Sequence, residues 1–199
     1  MKDEEAIMAR VAFLVGEMFE DAEFRVPFER LKGAGHDVTV VGLEAGKRIE
    51  GKKHKEQVVI GRAIREVSAD EFDALVIPGG YSPDHLRVDR GIVDFTRHMV
   101  QADKPVAAVC HAGSLLVEAG AVEDRTVTSW PSIRTDLINA GAHWVDQEVV
   151  EDGPLITSRK PADLTAFSDA ILRQLAGDVP ERISPMFAGE IESAEPPLQ

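Results

Sequence analysis

The sequence predicts a doubly wound α/β fold, in which a mostly parallel central sheet is covered by helices on both faces. Short apolar runs of strand type, such as Val11–Val15 and Ala74–Ile77, alternate along the chain with segments of helical period. This alternation is typical of parallel strands joined by crossover helices. No internal repeat is present, so a solenoid or propeller is not indicated.

The first half of the chain contains strands at both ends and a charged excursion between them. Phe24, Phe28 and Leu31 recur at helical spacing, and the helix is expected to stop at Gly33 or Gly35. The predicted elements, in order, are a strand at 11–15, that helix, a strand at 38–43, an exposed antiparallel excursion at 47–66, a capping box at Ser68–Glu71 and a strand at 74–77.

The second half repeats the alternation and then ends in a polar tail. Its predicted elements are a helix at 89–102, a strand ending at Cys110, a helix through Leu115 and Ala119, a strand at 126–128, a helix at 132–140, a hairpin between 144 and 157, and a last helix from Pro161. The chain is expected to form a single domain of 1–199, with its core at about 9–176. The tail from 177 to 199 is rich in Pro, Glu and Ser, and we expect it to be extended unless it docks on the body.

Composition excludes several classes of function. The 199 residues contain 22 Lys and Arg against 35 Asp and Glu, a net charge of −13, which disfavours binding to nucleic acid. A single cysteine forbids an intramolecular disulfide and favours a reducing, cytoplasmic setting. The acidic N-terminus does not resemble a signal peptide, and no apolar run reaches the roughly 20 residues of a membrane helix.

The cysteine, Cys110, lies where a predicted strand meets a predicted helix, and His111 follows it directly. Adjacent side chains on a regular strand point to opposite faces, so these two can meet only at a sharp turn. The positive end of the following helix and the imidazole would both favour a thiolate. The alternative is that Cys110 is a small buried apolar residue, as many lone cysteines are.

Two other loops are expected at the same edge of the sheet, because ligands bind at the carboxyl ends of parallel strands. One follows the first strand and carries Glu20, and the other follows Ile77 and carries Gly80 and Asp84. Glu20 could equally be a solvated acid, and Asp84 an ordinary turn residue. The remaining candidates were expected to be surface charges or structural ion pairs: Glu17, Asp21, Glu23, the lysine-rich run 51–55 and Arg159.

Several motifs taken together closely resemble the ThiJ/PfpI family, which includes intracellular cysteine peptidases, bacterial general stress proteins and the parkinsonism-associated protein deglycase. The resemblance covers about residues 9–176. The motifs are Gly16-x-x-Phe-Glu-Asp-x-Glu23, Glu71-Phe-Asp-Ala-Leu-Val-Ile-Pro-Gly-Gly80, Ala108-Val-Cys-His111, Ile138-Asn-Ala-Gly-Ala-His-Trp-Val-Asp146 and Thr157-Ser-Arg-x-Pro-Ala-Asp163.

The resemblance implies a flavodoxin-like sandwich of the kind found in class I glutamine amidotransferases, and it implies roles for single residues. Cys110 matches the nucleophile, and Glu20 matches the acid that hydrogen-bonds the sulfur. His111 matches the proposed base, while Asp84 falls where an acid is contributed across a subunit interface. Gly80 and the backbone of His111 match the donors of an oxyanion hole.

Two positions depart from the family pattern. Ala112-Gly113 follows the Cys-His pair where Gly-Pro is usual, and Trp130 stands where a tyrosine is common. An indole provides only a donor and bulk, so Trp130 is expected to affect substrate binding more than the nucleophile.

The function expected from this resemblance is cofactor-free thiolate chemistry on carbonyl compounds, covering peptidase, glyoxalase and deglycase activities. The substrate would be a small aldehyde, a peptide or a glycated protein, and the protein would be a homodimer or a higher homo-oligomer. The histidines and glycines show neither a metal-ligand spacing nor a dinucleotide fingerprint, so neither a metal nor a cofactor is expected. The alternatives are a redox or stress sensor with an oxidisable Cys110, and a chaperone-like holdase.

Overall fold

The computed structural model of the protein describes residues 8–184. Its eleven strands are β1 Arg10–Leu14, β2 Asp37–Gly42, β3 Arg48–Glu50, β4 Gln57–Val59, β5 Arg62–Ala63, β6 Ala74–Ile77, β7 Val106–Val109, β8 Thr126–Val127, β9 His143–Trp144, β10 Val149–Asp152 and β11 Leu155–Ser158. Its six α-helices are α1 Asp21–Gly33, α2 Ser82–Leu86, α3 Arg90–Gln101, α4 Gly113–Glu118, α5 Arg134–Asn139 and α6 Leu164–Leu175.

Seven strands form the central sheet, in the order β10-β11-β7-β6-β1-β2-β5. Every neighbouring pair is parallel except β10 with β11, which form an antiparallel hairpin at one edge. The strand order reverses direction on either side of β1, as in a doubly wound sheet. The predicted fold class is therefore confirmed.

Helices cover both faces because the central strands are apolar on both. Alternate residues of β1 divide between two buried clusters: Ala12 and Leu14 pack with α2, α3, α4 and α5, whereas Val11 and Phe13 pack with α1 and α6. The near-continuous apolar runs of these strands in the sequence reflect this double burial.

Two predicted details of the chain path were wrong. Trp144 does not belong to the hairpin with Leu155; it pairs with Val127 in a separate two-stranded parallel sheet. The excursion at 47–66 does contain an antiparallel pair, β3 and β4, but it is not simply exposed, because Ile49, Val58 and Ile60 are buried.

Arg159 forms ion pairs within the chain, with Asp146 at 2.6 Å and with Asp163 at 2.9 Å.

The beginning of the tail docks on the body through one buried acid. Asp152 is fully buried, and its carboxylate accepts the Thr126 N–H at 2.7 Å and the Ile183 N–H at 2.8 Å. Arg182 approaches the same carboxylate at 3.8 Å. The rest of the predicted tail lies outside the described residues. Between residues 8 and 184 no helix is long and apolar enough to cross a membrane.

Candidate active site

Cys110 lies at a strained turn between β7 and α4. Strand β7 ends at Val109, a single 3-10 turn covers Cys110–Ala112, and the backbone of Cys110 has a φ of +63°. A left-handed conformation costs a non-glycine residue about 1–2 kcal/mol, and such strain is often found at functional positions. The turn breaks the alternation of the strand, so that Cys110 Sγ lies 3.3 Å from His111 Nδ1. The predicted elbow is present.

The acid next to Cys110 is Glu23. Its side chain is fully buried, and its charge adds to the effect of burial in raising the pKa of the Cys110 thiol. Oε2 accepts the Gly79 N–H at 2.9 Å, while the buried Oε1 accepts no hydrogen bond from the described residues. Gly79 permits this approach, because a Cβ there would lie 2.6 Å from Glu23 Oε2 and 2.8 Å from Cys110 Cβ.

Glu23 and Cys110 are both harder to ionise in the folded protein than in water, chiefly because both are buried. Burial raises the pKa of Glu23 to about 7, because desolvation outweighs the Gly79 hydrogen bond. Burial, and then the Glu23 charge, also raise the pKa of Cys110, although a hydrogen bond from the His111 backbone opposes this. This is contrary to the expectation that the helix end and the imidazole favour a thiolate. Because Glu23 affects the pKa of Cys110, we expect the titrations of the two groups to be coupled.

Glu20 was expected to hydrogen-bond the sulfur, and that expectation was wrong. Although the residue is only 2% exposed, its carboxylate faces two lysines: Lys52 Nζ lies 2.7 Å from Oε2 and Lys53 Nζ lies 2.6 Å from Oε1. Glu20 precedes α1, whereas Glu23 lies within its first turn and faces the sheet. Burial raises the pKa of Glu20, but the two lysines more than offset this and lower it below its ordinary value.

Asp21 holds the β3–β4 hairpin against the site. Its carboxylate accepts the backbone N–H groups of Lys53, Lys55 and Glu56, each at 2.9 Å. Gly51 is packed against it, since a Cβ there would lie 2.4 Å from Asp21 Oδ1. The lysine-rich run is therefore anchored through its backbone, while Lys53, His54 and Lys55 are exposed as expected. Asp21, in contrast, is buried and is not a surface charge.

The substitution Asp21→Asn is expected to loosen this hairpin tip, because an amide NH₂ would replace one accepting oxygen and face a backbone donor. We expect amide exchange at Lys53, Lys55 and Glu56 to accelerate by about tenfold, which corresponds to about 1.4 kcal/mol. Hydrogen exchange followed by mass spectrometry measures this. Unchanged protection at the tip, relative to α6, would contradict the anchoring role.

His111 is held on both sides of its ring. Nδ1 contacts Cys110 Sγ, and Nε2 lies 3.1 Å from Ser132 Oγ. The ring is tilted by 31° to the Trp130 indole, at a centroid distance of 6.5 Å. Burial, followed by the charge of Lys52, lowers the pKa of His111, so the imidazole is neutral at pH 7 and able to accept a proton.

Gly80 lies on the loop after β6 and lines the same cavity as His111. It forms an isolated antiparallel bridge with Phe19, and the two flanking bonds use the N–H groups of Glu20 and Tyr81 and not that of Gly80. Its φ is +78°, which places it in the left-handed region. The structure brings Gly80 to the same edge as Cys110, while its role as an oxyanion donor stays a prediction.

A cavity of about 400 Å³ lies beside the elbow and reaches it at His111, while Cys110 itself is buried and does not line it. It is lined by Lys52, Gly80, Tyr81, Asp84, Arg87, His111, Ser114, Ile133 and Asp136. Asp84 thus shares a cavity with His111, but both ring nitrogens of His111 have other partners within the chain. A role for Asp84 across a subunit interface stays a prediction. Among residues 8–184 no cluster of three or more His, Cys, Asp or Glu suits a metal ion.

Three residues of the site were missed from sequence: Glu23, Lys52 and Ser132. A signal for Glu23 was available, because it lies four residues before the buried Pro27 and eight before Leu31 on one helix face. Continuing the apolar stripe towards the N-terminus predicts that Glu23 points inward. Lys52 and Ser132 reach the site from distant loops, and nothing in their local sequence indicates this.

Comparison with known proteins identifies the family. The model of the DJ-1/PfpI family matches residues 9–174. Protein/nucleic acid deglycase 2 of Escherichia coli is 46% identical over 83% of this chain and 97% of its own length. General stress protein 18 of Bacillus subtilis is 44% identical over 80% of this chain and 93% of its own length.

Solved structures agree as well. The crystal structure of Drosophila melanogaster DJ-1beta superposes with a TM-score of 0.80 and 28% identity, covering 94% of this chain and 97% of that one. The family match spans every strand of the central sheet and the whole Cys110 elbow. The chain therefore belongs to the DJ-1/PfpI family.

Proposed function

We propose that this protein is a cofactor-free cysteine enzyme that acts on reactive carbonyl compounds, either free or attached to proteins, as a glyoxalase or deglycase. The observation that carries the proposal is the contact between Cys110 Sγ and His111 Nδ1 at 3.3 Å, with His111 lining a cavity of about 400 Å³. Relatives whose names describe deglycases support the chemical class. The stress-protein name of another relative fits the removal of toxic carbonyls.

The chemistry begins with addition of sulfur to a carbonyl carbon. Because the pKa of Cys110 is raised, the thiol proton passes to the neutral His111 ring as the S–C bond forms. The carbonyl oxygen gains negative charge, takes that proton from the His111 imidazolium, and becomes the hydroxyl of a hemithioacetal. Amide donors of Gly80 and His111 would stabilise that oxygen while it is charged.

With an α-dicarbonyl substrate the hemithioacetal can rearrange without a cofactor. A hydrogen moves, as a proton through an enediol, from the carbon that bears sulfur to the neighbouring carbonyl carbon, and this leaves a thioester. Water then adds to the thioester and the C–S bond breaks. The products are a 2-hydroxy acid and the free thiol, so the net reaction is hydration of the dicarbonyl with no external oxidant or reductant.

Consumption of methylglyoxal and formation of lactate test the proposal. We expect Cys110→Ser and Cys110→Ala to lower turnover by about 1,000-fold or more, since loss of a nucleophile usually has effects of that order. Because any thiol adds reversibly to methylglyoxal, the matched control is urea-unfolded wild type at the same thiol concentration. The assay must avoid amine buffers for the same reason.

The alternatives predict other results. No lactate from the wild type, together with rapid oxidation of Cys110 by peroxide, would replace the enzyme with a redox sensor. Suppression of aggregation that is equal in wild type and Cys110→Ala, again without lactate, would indicate a holdase. Cleavage of a peptide without any lactate would assign the same thiol to a peptidase.

A further inference from the structure

We propose that Lys52 is a positioning residue of the Cys110 site: Glu20 and the hairpin backbone hold its ammonium at the rim of the cavity, where it compensates the negative charge of the thiolate. This inference rests on the proposed function, because it concerns the same sulfur. It also explains why Glu20 is buried in the first loop although it does not contact Cys110.

The charges around Glu20 leave one positive charge in excess. The carboxylate is nearly inaccessible and has a lysine on each oxygen, Lys52 at 2.7 Å and Lys53 at 2.6 Å. One negative charge thus faces two positive ones, within a protein whose net charge is −13. A buried acid needs only one partner to be compensated. The second lysine therefore has charge available for another group.

Lys52 is the lysine on the same side of Glu20 as the Cys110–His111 elbow. It lines the cavity together with Gly80 and His111, whereas Lys53 lines a separate small pocket with Glu20 and Asp21. Burial lowers the pKa of Lys52, but the Glu20 hydrogen bond and the charges of Glu20, Cys110 and Glu23 raise it above its ordinary value. The charge of Lys52 likewise opposes the rise in the pKa of Cys110.

The position of Lys52 is fixed at both ends of the residue. Its backbone N–H donates to Phe19 O at 2.8 Å, beside the Phe19–Gly80 bridge, and its side chain ends on Glu20. An unanchored lysine loses up to about 2 kcal/mol of side-chain entropy when it is held in one place. Here the Glu20 ion pair has already ordered the ammonium, so stabilising a thiolate requires little further ordering.

The Cys110–Glu23 pair is what requires compensation. Once the pair has lost one proton it carries one negative charge, whichever group holds the other proton. With Glu20 the site then has two negative charges, and Lys52 and Lys53 balance them. Loss of Lys52 would leave the charge of the pair facing a cavity that also contains Asp84 and Asp136.

The experiment measures the thiol directly. Alkylation of Cys110 by the neutral reagent iodoacetamide is followed against pH in wild type, Lys52→Met, Lys53→Met and Lys52→Arg. We expect Lys52→Met to slow alkylation at pH 7 by about tenfold, with the pH of half-maximal rate displaced upward by about 1, as a charge effect near 1.4 kcal/mol requires. Lys53→Met also removes a positive charge from Glu20, but in a separate pocket, so it should slow alkylation clearly less than Lys52→Met does, and Lys52→Arg should restore most of the rate.

Two results would overturn the proposal. Equal rates in Lys52→Met and Lys53→Met would mean that Lys52 only anchors Glu20. If Lys52→Met slowed alkylation by the anion iodoacetate but not by neutral iodoacetamide, Lys52 would attract anionic reagents and would not stabilise the thiolate. Alkylation needs no turnover, so absence of lactate from the wild type would refute the proposed function while leaving the role of Lys52 to be decided by these rates.

Discussion

The substitution Glu23→Gln is expected to stabilise the protein increasingly as the pH rises from 5 to 8, by about 2–3 kcal/mol over that range. Glutamine preserves the size of the side chain and the oxygen that accepts the Gly79 N–H. It removes the one feature that the buried site does not satisfy, a negative charge with an unpartnered Oε1. The effect is large because the carboxyl is fully buried.

The sign follows from which state holds the proton. The unfolded carboxyl loses its proton near the ordinary pKa of 4.5, whereas the folded one keeps it until the pKa of about 7. Between these values the folded state binds more protons than the unfolded state, so the free energy of unfolding of the wild type falls as the pH rises. The glutamine variant has no such group and lacks this decline.

Urea denaturation of the reduced proteins at several pH values measures the difference. Glu20→Gln is the matched control, because the pKa of Glu20 is lowered and this acid is ionised in both states throughout pH 5–8. Its difference from wild type should therefore stay constant across the range. Parallel stability curves for wild type and Glu23→Gln would show that Glu23 titrates normally in the folded protein.

A carboxyl that titrates near neutrality also determines how the sulfur can react. When Glu23 holds a proton it can donate a hydrogen bond to a developing thiolate, and when Glu23 is ionised its charge opposes that thiolate. The reactive form of the pair therefore has one proton and one negative charge. In the proposed mechanism His111 and Lys52 then have distinct tasks: the neutral ring would accept the thiol proton, and the ammonium would compensate the charge that remains.

The fold could be predicted from sequence because its main signals are local. Apolar strands alternate with amphipathic helices, and the chain order alone brings three loops to one edge of the sheet. The position of Cys110 at a strand-to-helix junction followed from this pattern, as did its neighbour His111. Trp144 was misassigned because a two-residue strand contains too little pattern to indicate its partner.

The sequence did not identify which acid lies beside Cys110. Glu20, Asp21 and Glu23 lie within four residues, so an error of one helical turn changes which of them faces the sulfur. Composition favoured the surface for all three, yet each is less than 5% exposed. They are buried because they have specific tertiary partners: lysines for Glu20, backbone amides for Asp21, and the Gly79 amide with Cys110 for Glu23.

The substitution Gly80→Ala is expected to destabilise the protein by more than about 3 kcal/mol and to abolish turnover of methylglyoxal, because two costs act together. The φ of +78° is unfavourable for any residue with a Cβ. The added Cβ would also lie only 2.5 Å from Glu20 N and 2.6 Å from Met18 O. Both are backbone atoms, so relief requires separating the Phe19–Gly80 bridge.

Gly120→Ala separates these two costs. Gly120 has a similar φ of +65°, but nothing lies within 4 Å of the position that a Cβ would occupy. Its substitution should therefore cost only the conformational term, about 1–2 kcal/mol, and leave turnover intact. Thermal unfolding and lactate formation measure both variants. If Gly80→Ala were no worse than Gly120→Ala in both assays, the close approach of the two loops would not be needed to hold Gly80 and Glu20 beside the Cys110 elbow. If Gly80→Ala is worse in both assays, the Phe19–Gly80 bridge between the loops after β1 and β6 is what fixes the geometry around the sulfur.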